Sequence, residues 1–252
     1  MSKPRIILVE PAGAINVGSI ARVMKNMQLE ELILVNPQCD RDCDEARRMA
    51  VHGIDVLEKA RIVSSLPEAL QGCQKAIATT ARSRSIPTTL ESPKEALPWL
   101  LTENVNSALI FGPEERGLSN IELNYAQRFV CIPANPAYPS LNLAQAVAIC
   151  SYELYQADCD RSIDTSESYV KLPKEENNDS SVTAQKQANL DTLEQYYQHL
   201  EQVLLEIGYL YPHTTPAKME KFRRLYNKAN LSEREVAMLR GILRQVMWAI
   251  NR

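Results

Sequence analysis

The stretch FVCIPANPAYPSLNLAQAVAICSYELYQAD, from Phe129 to Asp158, predicts the fold class of the chain. Its first four residues are apolar, which favours a short buried strand from Phe129 to Ile132. Three prolines between positions 133 and 139 then hold a loop extended. Apolar residues at helical spacing follow and predict a long helix from Asn142 to about Asp158. A strand, a rigid loop and a helix in this order are typical of an α/β domain.

Earlier in the chain, short β-branched runs alternate with amphipathic stretches in the same way. Residues 1–158 are therefore predicted to form one α/β domain with a largely parallel sheet. Ligands of such sheets bind at the carboxyl ends of strands, so the loops that follow strands are the candidate sites. The other predicted strands are Arg5–Glu10, Glu31–Val35, Lys75–Thr79 and Ala108–Phe111, and helical spacing is found at Val17, Ile20, Ala21 and Met24 and at Leu97, Leu100 and Leu101.

The remaining third of the chain has a different composition. Residues 159–188 are rich in Ser, Asp, Glu, Asn, Lys and Thr and are predicted to be a flexible linker, because they cannot bury enough apolar surface to become ordered. Residues 189–252 show helical spacing again and predict a small C-terminal helical extension. The predicted helix signals are a stop at Gly208, an N-cap at Thr215 before Pro216, and a capping box of Ser232 with Glu235.

Charge is distributed unevenly along the chain. The 252 residues carry a formal net charge of −3, but residues 213–252 contain nine Lys or Arg against three Glu. That segment is therefore +6 and the remainder is −9. A basic module on an acidic body is typical of a protein with a dedicated part for binding a polyanion, although solvated helix faces are the simpler alternative.

Cysteine usage and hydropathy indicate the compartment. The six cysteines are scattered without a disulfide framework, and no stretch is long and apolar enough for a signal peptide or a membrane span. We therefore expect a soluble cytoplasmic protein that makes no membrane contact. Cys39, Cys43 and His52 are conceivable zinc ligands, but no second pair stands at ligand spacing, so no metal is expected.

The first candidate loop, PAGAINVGSIAR from Pro11 to Arg22, follows the first predicted strand. Asn16 is predicted to cap the next helix, Gly18 to keep its first turn bare, and Arg22 to lie one turn later on the polar side. A ribose or an anion at this helix start would meet free backbone N–H groups and a guanidinium. A capped helix with a surface arginine is the simpler alternative.

The second candidate loop lies within ALIFGPEERGL, residues 108–118. The spacing of Gly112 and Gly117 suggests a phosphate loop, but no Lys-Ser or Lys-Thr follows, and two carboxylates would repel a phosphate. A P-loop is therefore excluded. The chain also lacks G-x-G-x-x-G, which excludes the dinucleotide fingerprint and the glycine-rich loop of Rossmann methyltransferases.

The third candidate loop is the proline-rich segment that precedes the long helix. Either Ser140 or Asn142 is predicted to be the N-cap of that helix, with Gln145 behind it. Capping explains either residue but leaves the rigid loop in front of them unexplained.

The motifs NVGSIAR (16–22), FGPEERGL (111–118) and IPANPAYPSLNLAQAV (132–147) resemble those of the SpoU/TrmH family of SPOUT-class RNA ribose 2′-O-methyltransferases. With the tail around FRRLYNKANLSEREVAMLRGILRQV (222–246), nearly the whole chain resembles the TrmJ subgroup, which methylates the first anticodon-loop nucleotide of tRNA. The resemblance implies a SPOUT-type parallel sheet with a C-terminal trefoil knot. It also implies S-adenosyl-L-methionine as cofactor, tRNA as partner, and a homodimer with the active site at the subunit interface.

The same resemblance implies roles for individual residues. The catalytic residues would be Asn16, Arg22, Ser140 and Asn142. The cofactor pocket would be formed by Thr79, Thr80, Ala81, Gly112, Glu114, Gly117, Ile132, Pro139, Ser140 and Leu141. The sequence departs from the family pattern at Pro113, Arg116 and Pro139, and these departures leave the motif glycines, Ser140 and Asn142 in place.

The methyl group of a sulfonium is already electrophilic, so such an enzyme mainly aligns a ribose 2′-oxygen and helps it lose a proton. The family proposal makes Arg22 the base. Because a guanidinium is a poor base, we expect Arg22 to polarise the 2′-hydroxyl and hold the adjacent phosphate, with the proton passing to phosphate, Ser140 or water. The alternatives are ribosomal RNA as substrate, a non-catalytic RNA-binding protein on the same fold, and an α/β enzyme with a helical dimerisation tail.

Overall fold

A seven-stranded parallel sheet forms the centre of the computed structural model, which describes residues 3–81, 89–166 and 186–251. The strand order is β3-β2-β1-β6-β4-β7-β5. The strands are β1 (Arg5–Val9), β2 (Leu32–Val35), β3 (Arg61–Val63), β4 (Lys75–Thr79), β5 (Leu90–Glu91), β6 (Ser107–Phe111) and β7 (Arg128–Val130).

Helices cover both faces of the sheet and form a separate C-terminal bundle. The first set is α1 (Ala14–Asn26), α2 (Asp44–Ala50), α3 (Ile54–Lys59), α4 (Leu66–Ala69), α5 (Pro93–Ala96), α6 (Asn120–Leu123) and α7 (Leu143–Ser166), with 3-10 turns at Val51–Gly53 and Leu97–Leu101. The bundle consists of α8 (Leu190–Glu206), α9 (Thr215–Ala229) and α10 (Glu233–Ile250).

Side chains along each strand point alternately to the two faces of the sheet, and this divides the core into two layers. In β1, Ile6 and Leu8 belong to the cluster that includes residues of α1 and α7, whereas Ile7 and Val9 belong to the cluster on the opposite face. Successive strand residues point to opposite faces, so a strand that is apolar throughout is buried on both sides. The predicted parallel α/β domain is therefore confirmed.

The five predicted strands are present, within two residues at each end, and two further strands were missed. The missed strands are β3 and β5, at the two edges of the sheet. Ile62 in β3 is 56% exposed, and β5 has only two residues. Short, partly exposed edge strands carry too few alternating positions for a pattern to be recognised.

The helix predicted to end near Asp158 continues to Ser166, so the predicted boundary at 158/159 falls inside α7. The prediction failed because a helix that is already nucleated is extended by polar residues at little cost. The predicted linker is also structured at its other end, where Ala188 donates a backbone hydrogen bond of 2.9 Å to Leu231. The rest of that segment, 167–185, lies outside the described residues.

The C-terminal bundle has its own apolar cluster, formed by residues of α8, α9 and α10. Gly208, with φ at +73°, follows the end of α8 as predicted, because this left-handed conformation suits glycine. The capping box of Ser232 and Glu235 is confirmed. The N-cap of α9 is Thr214, and Thr215 is the first helical residue, so the helix begins one position earlier than predicted.

The order of the strands positions the candidate site. β6 lies between β1 and β4, and β7 lies between β4 and β5, although both come later in the chain. The carboxyl ends of β4, β6 and β7 are therefore adjacent, and the chain leaves them at Thr80, Gly112 and Cys131. Within the described part of the chain, no helix combines the length and hydropathy needed to cross a membrane.

Gly18 allows α1 to approach α2 closely, and this contact is testable. A Cβ at Gly18 would lie 2.1 Å from the Ala46 carbonyl oxygen, so Gly18→Ala should lower the free energy of unfolding by about 1 to 3 kcal/mol through overpacking. At Gly241 in α10 a Cβ would meet nothing within 4 Å, so Gly241→Ala should raise the free energy of unfolding by roughly 0.5 to 1 kcal/mol. Urea denaturation measures both. A Gly18→Ala protein as stable as the wild type would contradict this packing.

Candidate active site

A cavity opens at the carboxyl ends of β4, β6 and β7. Its volume is about 830 Å³, including the space at its open mouth. All ten residues predicted for cofactor binding line it: Thr79, Thr80, Ala81, Gly112, Glu114, Gly117, Ile132, Pro139, Ser140 and Leu141. The second and third candidate loops thus meet the end of β4 around one concave surface, whereas no residue of the first candidate loop lines it. The roles of these residues remain predictions.

The second motif folds back on itself to form one wall of this cavity. A Cβ at Gly112 would lie 2.3 Å from the backbone nitrogen of Leu118, so only glycine fits there. Gly117 has a φ of +64° and donates a backbone hydrogen bond of 2.9 Å to Pro113. The two glycines therefore permit a tight turn whose wall is largely backbone.

Hydrogen bonds between side chains join the three motifs. Asn16 Nδ2 donates to Glu114 Oε1 at 2.9 Å, and Asn142 Nδ2 donates to Asn16 Oδ1 at 3.0 Å. Asn142 Oδ1 accepts from the backbone nitrogens of Ala144 at 2.9 Å and Gln145 at 3.4 Å. A carboxylate only accepts and a backbone N–H only donates, so both ends of this series determine the orientation of the two amides between them.

Glu114, and not Asn16, occupies the start of α1. The helix begins at Ala14, so Asn16 lies in its first turn, and the prediction that Asn16 is the N-cap was wrong. The Glu114 carboxylate accepts from the backbone nitrogens of Ala12 at 3.2 Å and Gly13 at 3.3 Å. A negative charge is stabilised at a helix N-terminus, and here the same chain supplies it. Two of the backbone N–H groups at this helix start, those of Ala12 and Gly13, are therefore already engaged.

The surroundings of Glu114 favour its ionised form. Burial alone would raise the pKa of this carboxyl, but the hydrogen bonds from Asn16 and from backbone nitrogens outweigh burial and lower it. Glu114 is therefore a carboxylate at neutral pH and acts as an acceptor for several donors at once.

The start of α7 decides between the two predicted N-caps. Asn142 accepts from the first turn of the helix, and Gln145 Oε1 accepts from the Asn142 backbone nitrogen at 3.3 Å. Asn142 is therefore the N-cap, in a reciprocal arrangement with Gln145. Ser140 is exposed and lines the cavity.

Arg22 is separated from the other predicted catalytic residues. It is exposed on α1 and is not among the residues that line the cavity. Asn16 and Asn142 adjoin the cavity through Glu114, and Ser140 forms part of its rim. One chain therefore brings together three of the four predicted catalytic residues.

Arg116 organises a cluster that the sequence analysis missed. Its guanidinium donates to Glu10 at 2.6 Å and to both oxygens of Glu122 at 2.8 and 2.9 Å. Burial would raise the pKa of Glu122, but hydrogen bonds from Arg116 and Ser119 lower it to about 2. The cluster ties the cavity loop to the end of β1 and to α6. The spacing Ser119-x-x-Glu122 is a capping-box pattern that could have identified Glu122.

The two neighbouring cysteines lie beside the first motif. Cys39 and Cys43 are half-buried and pack against the core cluster that contains α1. Burial, followed by the charge of Glu114, raises the pKa of the Cys39 thiol, which disfavours the thiolate that binds metals. Within residues 3–81, 89–166 and 186–251, no group of three or more His, Cys, Asp or Glu side chains is arranged to hold a metal ion.

Comparisons with known proteins identify several that are similar to this chain. A model of the SpoU rRNA Methylase family matches residues 3–152, and a model of the tRNA methyltransferase TrmJ C-terminal domain matches residues 191–252. The chain is 41% identical to the "tRNA (cytidine/uridine-2'-O-)-methyltransferase TrmJ" of Pectobacterium atrosepticum over 96% of this chain and 95% of that protein. It is 39% identical to the "tRNA (cytidine/uridine/adenosine-2'-O-)-methyltransferase TrmJ" of Pseudomonas aeruginosa, over 96% and 93% of the two chains. The crystal structure of TrmJ from Z. mobilis ZM4 superposes with a TM-score of 0.81 at 30% identity, covering 98% of this chain and 100% of that one.

The Arg116 cluster predicts a pH-dependent contribution to stability. The pKa of Glu122 in the folded chain, about 2, lies below its ordinary value of 4.5, so its contribution is present above pH 4.5 and is lost as the pH falls towards 2. Glu122→Gln should lower the free energy of unfolding by about 1 to 2 kcal/mol at pH 7, a range that allows for the partial exposure of the pair. The difference in the free energy of unfolding between the wild type and Glu122→Gln should shrink steadily below pH 4.5.

Urea titrations between pH 7 and pH 3 measure this difference. Glu115→Gln, which removes an exposed carboxylate from the same loop, is the matched control and should show no such trend. A Glu122→Gln deficit that is the same at pH 7 and pH 3 would contradict the assignment.

Proposed function

The chain belongs to the SpoU methylase family, and on this premise we propose that it transfers a methyl group from S-adenosylmethionine to a ribose 2′-hydroxyl of tRNA. One observation carries the proposal: the ten residues predicted for cofactor binding line a single cavity, and Asn16 and Asn142 are hydrogen-bonded beside it. The tRNA substrate is supported by relatives of nearly full length whose names specify tRNA 2′-O-methylation.

The cavity has the features that a nucleoside cofactor requires. Its second-motif wall is a tight turn in which a Cβ at Gly112 would collide with the backbone nitrogen of Leu118, so no side chain at position 112 takes up space in the cavity. Apolar side chains, including those of Ile132, Leu141 and Leu143, form the opposite part of the lining and suit the flat face of a base. When bound, S-adenosylmethionine would supply an electrophilic methyl group on its sulfonium, so the proposal requires no metal.

The remaining work falls to the side chains of the chain itself. Transfer breaks the sulfur–methyl bond, forms an oxygen–methyl bond and releases the 2′-hydroxyl proton, so alignment of that oxygen is the main requirement. Asn16 and Asn142 are held in one orientation by the Glu114 carboxylate and by the start of α7, which limits where an RNA group can bind. We assign to Arg22 the polarisation of the hydroxyl and the binding of the neighbouring phosphate, because a guanidinium donates but does not accept. The proton passes to phosphate, to Ser140 or to water.

We further propose that the active unit is a homodimer with a shared site. An exposed arginine outside the cavity is useful for chemistry only if a second subunit brings it to a pocket. Apolar side chains that a monomer would leave in water occur in the first and third motifs and on α7 and favour such a contact: Ile15, Tyr138, Ile149 and Tyr152.

The trefoil knot of the SPOUT class is also proposed. The insertion of β6 and β7 between earlier strands is what a chain threaded through its own loop requires. The loop after β4, which such threading would pass, includes residues 82–88 and lies partly outside the described residues.

Methyl transfer to purified RNA is the direct test of the proposed function. We expect the full-length protein with S-adenosylmethionine to form a 2′-O-methylated nucleoside in bulk tRNA, with S-adenosylhomocysteine as the second product. Nuclease digestion and mass spectrometry identify the nucleoside and locate it, and the expected position is the first nucleotide of the anticodon loop. Methylation of a base, of ribosomal RNA alone, or of no RNA would overturn the proposal.

The shared site predicts complementation between two inactive proteins. Arg22→Ala should abolish transfer, and so should Gly112→Trp, because a side chain at Gly112 collides with the Leu118 backbone and would displace the second-motif wall of the cavity. If Arg22 of one subunit serves the pocket of the other, a mixed dimer has one intact site and one doubly defective site. After free exchange at equal amounts, about a quarter of all sites are intact and roughly a quarter of wild-type activity should return.

The control for the loss of charge is Lys25→Ala, which removes another exposed cation from α1 and should remain active. Subunit exchange is verified by mass spectrometry of tagged subunits. No recovery after verified exchange would mean that Arg22 acts within its own chain.

A further inference from the structure

Arg223 of α9 lies at the contact between the C-terminal bundle and the α/β domain. Its guanidinium is 4.6 Å from the ring centre of Tyr197 in the bundle and 5.7 Å from that of Tyr125, which follows α6 in the α/β domain. Both of its terminal nitrogens donate to the carboxylate of Glu194, one of them at 2.8 Å. An aromatic ring from each unit thus faces the same cation.

This arginine is unsuited to direct contact with RNA. Its side chain is 16% exposed, and that of Glu194 is 19% exposed. The carboxylate occupies the donor pair with which a guanidinium would bind a phosphate. A planar group that stacks on rings and pairs with a carboxylate is a structural contact that lysine would not reproduce.

Asn227, one turn after Arg223, makes a second contact at the same place. It accepts from the Tyr197 hydroxyl at 2.8 Å and donates to the Asn124 carbonyl at 3.3 Å. Asn227 is buried, so both hydrogen bonds are shielded from water. The bundle therefore contacts the α/β domain at residues 124 and 125 through two adjacent turns of α9.

The start of α8 contacts the α/β domain at a different place. The backbone nitrogen of Leu190 donates to the Cys73 carbonyl at 2.8 Å, and Gln74 Nε2 donates to Asn189 Oδ1 at 2.6 Å. The backbone nitrogen of Gly72 donates to Asp191 at 3.2 Å. Two separated attachments restrict both the rotation and the translation of the bundle relative to the α/β domain. A single contact would leave the bundle free to rotate.

The first attachment lies close in sequence to the cavity loop. Asn124 and Tyr125 follow directly after Glu122 and Leu123 of α6, and Glu122 is the carboxylate that holds Arg116 of that loop. The bundle is therefore attached to the same short segment that supports one wall of the candidate active site.

We propose that Arg223 is a positioning residue for the transfer reaction. By holding the bundle on Tyr125, it sets the distance and orientation between RNA bound by the basic helices and the cavity. This inference rests on the proposed function, because it requires that the bundle binds tRNA. It assigns to Arg223 neither a contact with the reacting atoms nor a share in RNA affinity.

The test compares Arg223→Gln with Arg224→Gln. Both variants remove one positive charge from α9, but Arg224 pairs with Glu220 on the same helix, so its loss leaves the attachment intact. At saturating tRNA, the single-turnover rate of Arg223→Gln should fall by up to about 100-fold, as expected for a substrate held out of alignment, and Arg224→Gln should keep the wild-type rate. Because the proposal gives Arg223 no share in RNA affinity, Arg223→Gln should bind tRNA no more weakly than Arg224→Gln does.

Tyr125→Leu repeats the test from the other side of the contact, without altering the bundle or its charge. It should lower the saturating rate in the same way, and this outcome decides the matter if Arg223→Gln disturbs the folding of the bundle. Hydrogen–deuterium exchange gives a readout that needs no RNA. The Leu190 amide and the segment around Asn124 should exchange faster in Arg223→Gln and Tyr125→Leu than in the wild type or in Arg224→Gln.

The possible outcomes distinguish a positioning role of Arg223 from an RNA contact and from a failure of the proposed function. If Arg223→Gln weakens tRNA binding more than Arg224→Gln but keeps the saturating rate, Arg223 is an RNA contact and the inference is wrong. Unchanged rates and unchanged exchange in both Arg223→Gln and Tyr125→Leu also overturn it. If the wild type transfers no methyl group to tRNA, the proposed function has failed, and the exchange data then report on the attachment alone.

Discussion

The carboxylate of Glu114 accepts hydrogen bonds from Asn16 and from the backbone nitrogens that precede α1, in a partly buried position. A carboxylate removed from water is costly unless donors surround it, and these donors are available only when the second motif lies against the start of α1. That contact requires β6 to be next to β1, which is how the sheet is ordered. Once Glu114 is in place, Asn16 has one orientation, and Asn142 at the start of α7 has one as well. The relative positions of the three motifs thus depend on satisfying one negative charge.

The sheet was predictable because it depends on short-range patterns, whereas the residues of the cavity lining were predicted from the resemblance of the motifs to a known family. Continuous apolar runs such as Ile6–Val9 indicate buried strands, and glycine and proline indicate the loops that follow strands. The partners of Glu114 were not predictable in this way, because Ala12, Gly13 and Asn16 are about a hundred residues earlier in the chain. The N-cap of α1 was assigned to Asn16 for the same reason, since capping rules consider only neighbours in sequence. The end of α7 was missed because composition indicates whether a segment can bury apolar surface, not whether an existing helix continues through it.

Backbone strain is present at the ends of two strands that lead towards the site. Glu10 follows β1 and Asn36 follows β2, and both have a φ of +46°. A left-handed conformation costs a residue with a side chain about 1 to 2 kcal/mol, so such positions persist only where other contacts over-determine them. For Glu10 that contact is the guanidinium of Arg116, which also holds Glu122. Arg116 therefore holds the side chain of a strained residue beside the cavity loop.

The attachment of the bundle bears on how the proposed reaction is achieved. A flexible tether would raise the effective concentration of bound RNA near the cavity, but it would leave the orientation of the ribose to chance. In-line transfer to one hydroxyl requires near-contact distances and aligned bonds, which only a restricted geometry supplies. The contacts of Arg223 and Asn227 at residues 124 and 125, together with those of Asn189 and Leu190 at residues 73 and 74, restrict that geometry. Under the proposed function, the charge of the basic helices would guide the polyanion to the bundle and away from the acidic body, and the attachment would determine which of its riboses can reach the pocket.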